Sequence, residues 1–523
     1  MNKQTLKQLT HAHSWLGLIL SGALMIVFFC GTLSFFKQEI LAWEGYHDKQ
    51  TGLPEISLSP AQISKIILDK GYDIPADHRV LLLFPTESDP SYRAFFSTET
   101  PNGHHKRHAL YFDPATGEAL SATKAPYYLA EFLYKLHIDL NIPFGTEIVG
   151  IVSVLFFVII ISGILIHLKK LFKNFFQYRL KKRKDMYLDG HNLIGVTSLP
   201  YTLMYALTGI VFNLSILYQT SFSELVFQGD LQALSQVSGF DVPALPEPSG
   251  HPMNWQNIDL AVEHANQALP GAKVYLAKFW GFGDQHAQMQ LRLVDTRHVS
   301  ERLTIDYPLD NYLNYQAEHV LDNPVQASYH IFKQLHYGSF GGITLQFIYF
   351  LLGLGCCYLI LSGNLIWLEK RSTNRKQSQQ SFNVVRAMTL GLSVGVLIAV
   401  GLCFAAARIL PDAFAQREAL PVIFSSGLLI SFVHALWHKC ATQVMVQQAI
   451  ASAFLFAIAP LYDTALILSN KPTLGNLHNL ILINLVSLLV SAFCLIFARY
   501  KYQSKHSILT QSNQAKDEMG IES

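Results

Sequence analysis

The sequence predicts a polytopic α-helical membrane protein with about eight transmembrane helices and two small external α+β domains inserted in a duplicated helix-pair unit. Three observations predict this fold class. Half of the 523 residues are apolar and only 15% are charged, whereas a soluble protein carries about 25% charged residues. The apolar residues form runs long enough to cross a bilayer, which takes roughly 20 residues. One histidine-bearing motif also occurs twice along the chain.

The first apolar run, about residues 15–36, is longer than the core of a secretory signal, which has about 7–15 residues. No A-x-A-like cleavage site follows it. We therefore expect it to be retained as a transmembrane helix. Seven further runs are candidate spans: about residues 147–168, 193–217, 343–368, 387–407, 420–438, 444–468 and 478–498.

Lysine and arginine residues mark the cytoplasmic loops of membrane proteins. They are concentrated between the second and third spans, where 169–184 holds Lys169, Lys170, Lys173, Arg179, Lys181, Lys182, Arg183 and Lys184. Others follow the fourth span or lie near the two termini. If there are eight spans, all these regions lie on one side, and both termini are predicted to be cytoplasmic. The two long polar segments then lie on the opposite, external side.

These boundaries divide the chain into seven parts. They are the first helix (1–37), the first external domain (38–135), helices two and three with their basic cytoplasmic loop (136–218), the second external domain (219–332), helix four (333–372), a C-terminal four-helix membrane extension (384–498) and a cytoplasmic tail (499–523).

Each external segment contains one helix-like stretch and several strand-like stretches. In the first, apolar residues at helical spacing in 60–72 precede the strand candidates 79–84, 92–98 and 108–113. In the second, a helix candidate at 258–269 precedes three more strand candidates. Because each segment has fewer than 120 residues, neither can bury much core alone. We expect contact with a partner or with the membrane helices.

Four landmarks recur in the same order and indicate an internal duplication. HSWLG at 13–17 matches HNLIG at 191–195, and Gly31 and Gly209 each follow their histidine by eighteen positions. YKLH ending at His137 resembles KQLH ending at His336, and SGILIH at 162–167 resembles SGNLIW at 362–367. The repeated unit is a helix, an external domain, an LH-containing approach and a second helix.

The repeat singles out two pairs of histidines. A single histidine at the end of a membrane helix is usually an interfacial residue, but ionisable groups near the membrane centre are costly and tend to be functional. His13 and His191 are predicted at the cytoplasmic ends of their helices, and His137 and His336 at the external approaches to theirs. Two facing imidazoles are the ligands of a bis-histidine b-type haem. Two such pairs predict two haems and a path for electrons across the membrane.

Other features are weaker or exclude alternatives. His167 aligns with Trp367, and His11 aligns with an aspartate, so both are lower-ranked ligand candidates. The glycines near the histidines suit either a planar ligand or ordinary helix packing. The chain lacks C-x-x-C-H, which excludes covalent c-type haem, and it lacks nucleotide and flavin motifs. Electrons would come from a cytoplasmic donor or membrane quinol. The net charge of +2 gives no argument for nucleic acid.

The motifs HSWLG, YFDPATGEAL (111–120), LH and SGILI, with the second set HNLIG, LH and SGNLIW, resemble the PepSY-associated transmembrane family of bacterial inner membranes. The resemblance covers about residues 8–372 and identifies the external domains as PepSY-like and periplasmic. It implies a relationship to ferric-siderophore reductases, which carry two b-type haems and reduce iron in the periplasm. It also implies that His13, His191, His137 and His336 are the haem ligands. A ferric siderophore or another ferric chelate is then the expected substrate.

Two alternatives follow from the same sequence. PepSY-like domains elsewhere restrain peptidases, so the chain could be a non-enzymatic membrane regulator or binding protein without haem. A siderophore or metal permease would need polar residues along the helix interiors. Helices one to four offer few of these beyond the histidines, Asn213 and Asn364.

Overall fold

A computed structural model of the protein describes residues 2–44, 56–85, 91–100, 105–120, 128–167, 179, 183–238, 247–268, 271–294, 302–319, 323–372, 379–410, 413–438, 440–469 and 477–518. Most of the predicted basic loop at 169–184 lies outside these residues. The chain forms two compact units. The helical unit contains residues 1–49, 127–214 and 347–523, and the sheet unit contains residues 50–126 and 215–346.

The described residues are mainly α-helical. In chain order, the helices are Lys3–Ser34 (α1), Lys37–Glu44 (α2), Pro60–Asp69 (α3), Leu129–Asp139 (α4), Gly145–His167 (α5), Arg183–Thr197 (α6), Leu199–Asn213 (α7), Ser215–Phe227 (α8), Leu231–Ser238 (α9), Gln256–Ala268 (α10), Pro324–Tyr337 (α11), Gly342–Arg371 (α12), Gln379–Ala387 (α13), Gly395–Ile409 (α14), Ala413–Trp437 (α15), Ala441–Leu468 (α16) and Leu477–Glu518 (α17). A π-helical segment, Met388–Val394, joins α13 to α14.

The helices that could cross a membrane correspond to the eight predicted spans. Within the described residues, seven are long and apolar enough, and α6 with α7 forms an eighth if the pair is counted as one span. That pair is bent by 68° at Ser198. Pro200 explains the break, because proline lacks the N–H of a helix interior and its ring clashes with the preceding turn. The equivalent position in the unbroken α1 is Gly22.

Close contacts at glycines join the spans of the two repeats. A Cβ atom at Gly353 of α12 would collide with Thr32 of α1, and one at Gly209 of α7 would lie 2.6 Å from the hydroxyl of Ser153 on α5. Small residues at these crossings let the helix backbones approach closely. Gly209 therefore serves helix packing. This is the commoner of the two roles, helix packing and room for a planar ligand, that the sequence allows for these glycines.

The sheet unit is built around one antiparallel sheet of eight strands. The strands are Val80–Leu83 (β1), Tyr92–Glu99 (β2), His105–Phe112 (β3), Ala119–Leu120 (β4), Lys273–Trp280 (β5), Gln288–Val294 (β6), Arg302–Pro308 (β7) and Gln316–His319 (β8). Their order is β4-β3-β2-β1-β5-β6-β7-β8. The first four come from the first repeat and the last four from the second.

The sequence led us to expect two separate domains, one from each external segment. The structure differs, because strands from both segments form one sheet. Strands β1 and β5 pair across the repeats, with Leu82 opposite Ala277. One hydrophobic core contains Ile63 and Ile67 of α3 together with Ile258 of α10. The physical reason is that an unpaired β1 would leave a row of backbone groups exposed, and each segment alone is too short to cover its own core. The external location itself stays a prediction.

Candidate cofactor site

His13 on α1 and His191 on α6 lie together in the helical unit, as their equivalent positions in the repeat predict. The centres of their imidazole rings are 6.5 Å apart and the ring planes are nearly perpendicular, at 87°. Both side chains are half-buried. A bond between a metal and an imidazole nitrogen is about 2 Å long, so two imidazoles on opposite sides of one iron have centres roughly 6 Å apart. The observed separation fits such a pair.

The orientation of His13 is fixed by helix α5. Its Nδ1 atom lies 3.0 Å from the hydroxyl oxygen of Ser162 and 3.1 Å from the carbonyl oxygen of Ile159. The hydroxyl of Ser162 itself donates to the carbonyl of Ile159. Because a carbonyl can only accept, the Nδ1 atom of His13 must carry the proton. The Nε2 atom is then unprotonated, which is the form that binds a metal.

His191 is held in the same way in the second repeat. Its Nδ1 atom lies 3.0 Å from the hydroxyl oxygen of Ser362 on α12. That hydroxyl donates to the carbonyl of Leu359, so it accepts from His191. Metal-bound histidines almost always donate their other ring N–H to an oxygen acceptor. The two serines supply that acceptor at equivalent positions, and we find no hydrogen bond to Nε2 of either histidine among the described residues.

The sequence contains the signal for these serines, because each stands in the repeated SG dipeptide. In the sequence the dipeptide indicates the duplication, but nothing around it indicates a role for the serines. The glycine that follows each serine is also part of the site. A Cβ atom at Gly163 would lie 3.2 Å from Cε1 of His13, and one at Gly363 would lie 3.5 Å from Cε1 of His191. The missing side chain lets each imidazole approach its neighbouring helix.

Several features around the pair suit a bulky group with hydrogen-bond acceptors. A Cβ atom at Gly17, one turn after His13, would meet no described heavy atom within 4 Å. On α12, the side-chain N–H groups of Asn364 and Trp367 are buried, and no acceptor is found for them among the described residues. A buried donor without an acceptor is costly. The open space and the two donors are compatible with a bound cofactor.

The two lower-ranked histidines differ from each other. His167, at the end of α5, is close enough to both His13 and His191 for their charges to interact. His11 is exposed and accepts a hydrogen bond of 3.0 Å from the indole N–H of Trp15. The structure therefore places His167 in the neighbourhood of the candidate pair, whereas the Nε2 atom of His11 accepts the hydrogen bond of Trp15.

His137 and His336 lie in different units. His137, on α4, has its Nδ1 atom 2.9 Å from the carbonyl oxygen of Val27 on α1. Its ring packs directly over Gly31, where a Cβ atom would lie 2.5 Å from Nδ1. Gly31 thus makes room for a histidine of its own repeat. His336 lies on α11 of the sheet unit and is half-buried there. The pairing of His137 with His336 stays a prediction.

The C-terminal helices hold α2 and α4 in place through buried polar contacts. The guanidinium of Arg408 on α14 lies 2.9 Å from the carboxylate of Asp463 on α16, with both side chains at most 3% exposed. Arg408 also donates to the backbone carbonyls of Trp43 and Glu44. The carboxylate of Glu44 accepts the N–H groups of Leu129 and Ala130 at the start of α4. Because α4 carries His137, the C-terminal helices support that histidine's position.

Burial raises the pKa of Glu44 to about 8, although the two N–H groups and Arg408 oppose this shift. The network also defines the surroundings of Asp463. The structure shows it fully buried and paired.

One comparison with known proteins matches the chain. The family model described as the PepSY-associated TM region matches residues 10–370, which is more than half of the chain. The match ends before α13 and does not include the C-terminal helices. A search of curated proteins gave no match.

Proposed function

The chain belongs to the PepSY-associated transmembrane family, and on that premise we propose that it is a haem-dependent membrane oxidoreductase that reduces a ferric chelate of the siderophore type. The observation that carries the proposal is the pair His13 and His191, whose ring centres are 6.5 Å apart. Both present an Nε2 atom in the metal-binding form, and each is oriented by the serine of its own repeat.

The donor set fits a b-type haem. Neutral imidazoles are donors that bind haem iron, and the chain has no motif for covalent attachment. Bound haem would supply a carrier for single electrons. His13 and His191 would hold it, Ser162 and Ser362 would fix the two imidazoles, and Gly163 and Gly363 would let them sit close to α5 and α12. These hydrogen bonds would also raise the basicity of the two imidazoles toward a bound metal.

We propose that His137 and His336, the second pair of equivalent histidines, hold a second haem. Electrons would enter near His13 and His191 from a cytoplasmic donor or membrane quinol and leave toward a periplasmic ferric chelate. The positive-inside rule predicts both termini in the cytoplasm, and the family resemblance implies a bacterial inner membrane. On these two premises the substrate side is the periplasm. The support for the second site is the repeat itself and the Nδ1 hydrogen bond of His137.

The first test is the haem content of the purified full-length protein. We expect a red protein with b-type bands on reduction and two haems per chain. His13→Ala and His191→Ala should each remove the same haem, and His137→Ala and His336→Ala the other. His11→Ala is the matched control, since His11 is exposed and bonded to Trp15. A colourless, folded protein from haem-replete cells would refute the proposal and favour a non-enzymatic regulator.

The second test is electron transfer itself. The protein would be reduced under anaerobic conditions and mixed with a ferric hydroxamate, and the haem bands would be followed in a stopped-flow instrument. We expect the bands to return to the oxidised form as ferrous iron appears, in a ratio of one iron per haem. Haem that stays reduced in the presence of several classes of ferric chelate would contradict the proposed substrate while leaving the cofactor.

A further inference from the structure

We propose that His78, Glu99 and His105 of the sheet unit bind a divalent transition-metal ion. Each offers one ligand atom, and these three atoms lie within 4.8 Å of one another. His78 is half-buried, whereas Glu99 and His105 are exposed. This inference goes beyond the proposed electron transfer and does not depend on it.

The sheet brings the three residues to one end of three neighbouring strands. Glu99 at the end of β2 pairs directly with His105 at the start of β3. Paired residues of antiparallel strands project from the same face of a sheet. His78 stands just before β1, which pairs with β2 in the opposite direction. The register of the sheet, and not a local motif, therefore assembles the cluster.

The imidazole of His78 is held in a metal-binding orientation. Its Nδ1 atom lies 3.2 Å from the backbone carbonyl oxygen of Ser97. Since a carbonyl only accepts, Nδ1 carries the proton and Nε2 offers a lone pair. An N–H donated to an oxygen is the usual support of a metal-bound histidine. The rings of His78 and His105 approach each other, with centres 4.9 Å apart.

Two imidazoles and one carboxylate select the class of ion. This donor set suits Zn²⁺, Fe²⁺ and neighbouring transition metals, whereas Mg²⁺ and Ca²⁺ prefer oxygen ligands alone. Three protein ligands leave at least one position for water or another small ligand. Since metal–ligand bonds are about 2 Å long, a small rotation of the exposed Glu99 and His105 side chains would close the site around an ion.

The neighbouring His108 is not part of the cluster. His108 lies on the same strand as His105, but its ring stacks on Phe96, with centres 5.1 Å apart. Its Nε2 atom is hydrogen-bonded to the hydroxyl of Thr98. The second repeat has no counterpart in the described residues, because the equivalent hairpin ends in the pair Val294 and Arg302. Among the described residues, the cluster is therefore found in the first repeat only.

The experiment measures Zn²⁺ binding to the full-length, metal-stripped protein in detergent by equilibrium dialysis. We expect His78→Gln, Glu99→Gln and His105→Gln each to weaken one Zn²⁺ site by at least about tenfold. His108→Gln is the matched control and should bind as the wild type does, and Mg²⁺ should not compete. Wild-type affinity in all three variants would overturn the proposal.

A second measurement avoids substitutions and so does not depend on their folding. Carbethoxylation of histidines in the wild-type protein would be followed by mass spectrometry with and without Zn²⁺. We expect Zn²⁺ to slow the modification of His78 and His105 at least tenfold and to leave His251, which is exposed in the same unit, unchanged. Equal rates with and without Zn²⁺ would contradict the site. Since these three residues differ from the four histidines proposed to hold haem, neither outcome bears on the haem proposal.

Discussion

His13 donates its Nδ1 proton to the hydroxyl of Ser162, 3.0 Å away on the neighbouring helix α5. The second repeat contains the same relationship between His191 and Ser362. A duplication can preserve sequence without preserving contacts, but here the contact is preserved as well. Each repeat supplies one imidazole and the group that orients it, so the pair is assembled from two equivalent halves.

Changing these serines should weaken the cofactor site without removing a ligand. We expect Ser362→Ala to lower haem affinity by about 10–100-fold, the usual effect of losing a group that orients a metal ligand. Ser162→Ala should have a smaller effect, because the carbonyl of Ile159 remains 3.1 Å from His13. Haem content per chain and the redox midpoint potential measure both changes.

Ser153→Ala provides the control for these serine variants. Ser153 also lies on α5, but its hydroxyl bonds within the helix to Val149. Haem binding that is equally reduced in Ser153→Ala and Ser362→Ala would show that the effect comes from packing and not from the orientation of the histidines.

Gly31→Ala should displace His137. The new methyl group would lie 2.5 Å from Nδ1 and 2.7 Å from Cε1 of the imidazole, so the ring must move and lose its bond to Val27. Such overpacking costs about 1–3 kcal/mol, which lowers the melting temperature of the purified protein. The haem assigned to His137 should be lost, and the one assigned to His13 and His191 kept.

Gly17→Ala is the same substitution as Gly31→Ala, but we do not expect it to destabilise the haem-free protein. No described atom lies within 4 Å of the new methyl group, and alanine favours a helix over glycine by about 1 kcal/mol. The haem-free protein should therefore be at least as stable as the wild type. A reduced haem content in this stable variant would locate the cofactor beside His13, and full haem content would show that it lies elsewhere.

Asp463→Asn should destabilise the helical unit strongly. It leaves the buried guanidinium of Arg408 without its counter-charge, and breaking a buried ion pair costs about 3–5 kcal/mol. The melting temperature in detergent measures the effect. Glu131→Gln is the control, since its ion pair with Lys37 is 29% and 45% exposed and should contribute less than about 1 kcal/mol. Equal losses would contradict the assigned role of the buried network.

Lys278 should be unusually reactive at mildly alkaline pH. Burial, with the nearby cations Arg292 and Arg79, lowers its pKa to about 7, although Asp306 opposes this shift. At pH 8 the amine is then mainly neutral, whereas an ordinary lysine with a pKa of about 10.4 is protonated. An acylating reagent should label Lys278 faster than the exposed Lys70 at pH 8, and the advantage should disappear below pH 7.

The same pKa makes a prediction for stability. Because the folded state lowers the pKa of Lys278, the contribution of this residue to stability rises as pH increases from about 7 toward its unfolded value of about 10.4. Lys278→Met should therefore reduce the pH dependence of the melting temperature in that window. The labelling would also be measured in the variant Arg292→Gln, which removes one of the nearby cations. Slow labelling of Lys278 at pH 8 in both the wild type and this variant would contradict the lowered pKa.

Much of the helical architecture could be predicted from the sequence because a bilayer requires long apolar segments, which composition reveals directly. All eight predicted spans have helices at their positions, and the strand candidates of both segments are strands. The bend at Ser198 was not predicted, although Pro200 is a visible signal for it. Apolarity measures whether a segment can cross a membrane, but not whether it does so as one straight helix.

Periodicity within each external segment showed local strands and could not show that β1 of one repeat pairs with β5 of the other. That pairing depends on which strand edges remain unpaired after the hairpins have formed. It therefore depends on the segments of both repeats together. The cluster of His78, Glu99 and His105 was missed for the same reason. Its members are separated along the chain and become neighbours through the pairing of β1 with β2 and of β2 with β3.

By itself, the sequence determined the membrane class, the duplication and the four histidines that the duplication singles out, because hydropathy and repetition are properties of residue order. Only the tertiary structure decided how closely His13 and His191 approach, that Ser162 and Ser362 orient them, and that Arg408 and Asp463 link the C-terminal helices to α2 and α4. These are relationships between helices, set by how side chains pack across an interface. No pattern along one helix contains that information.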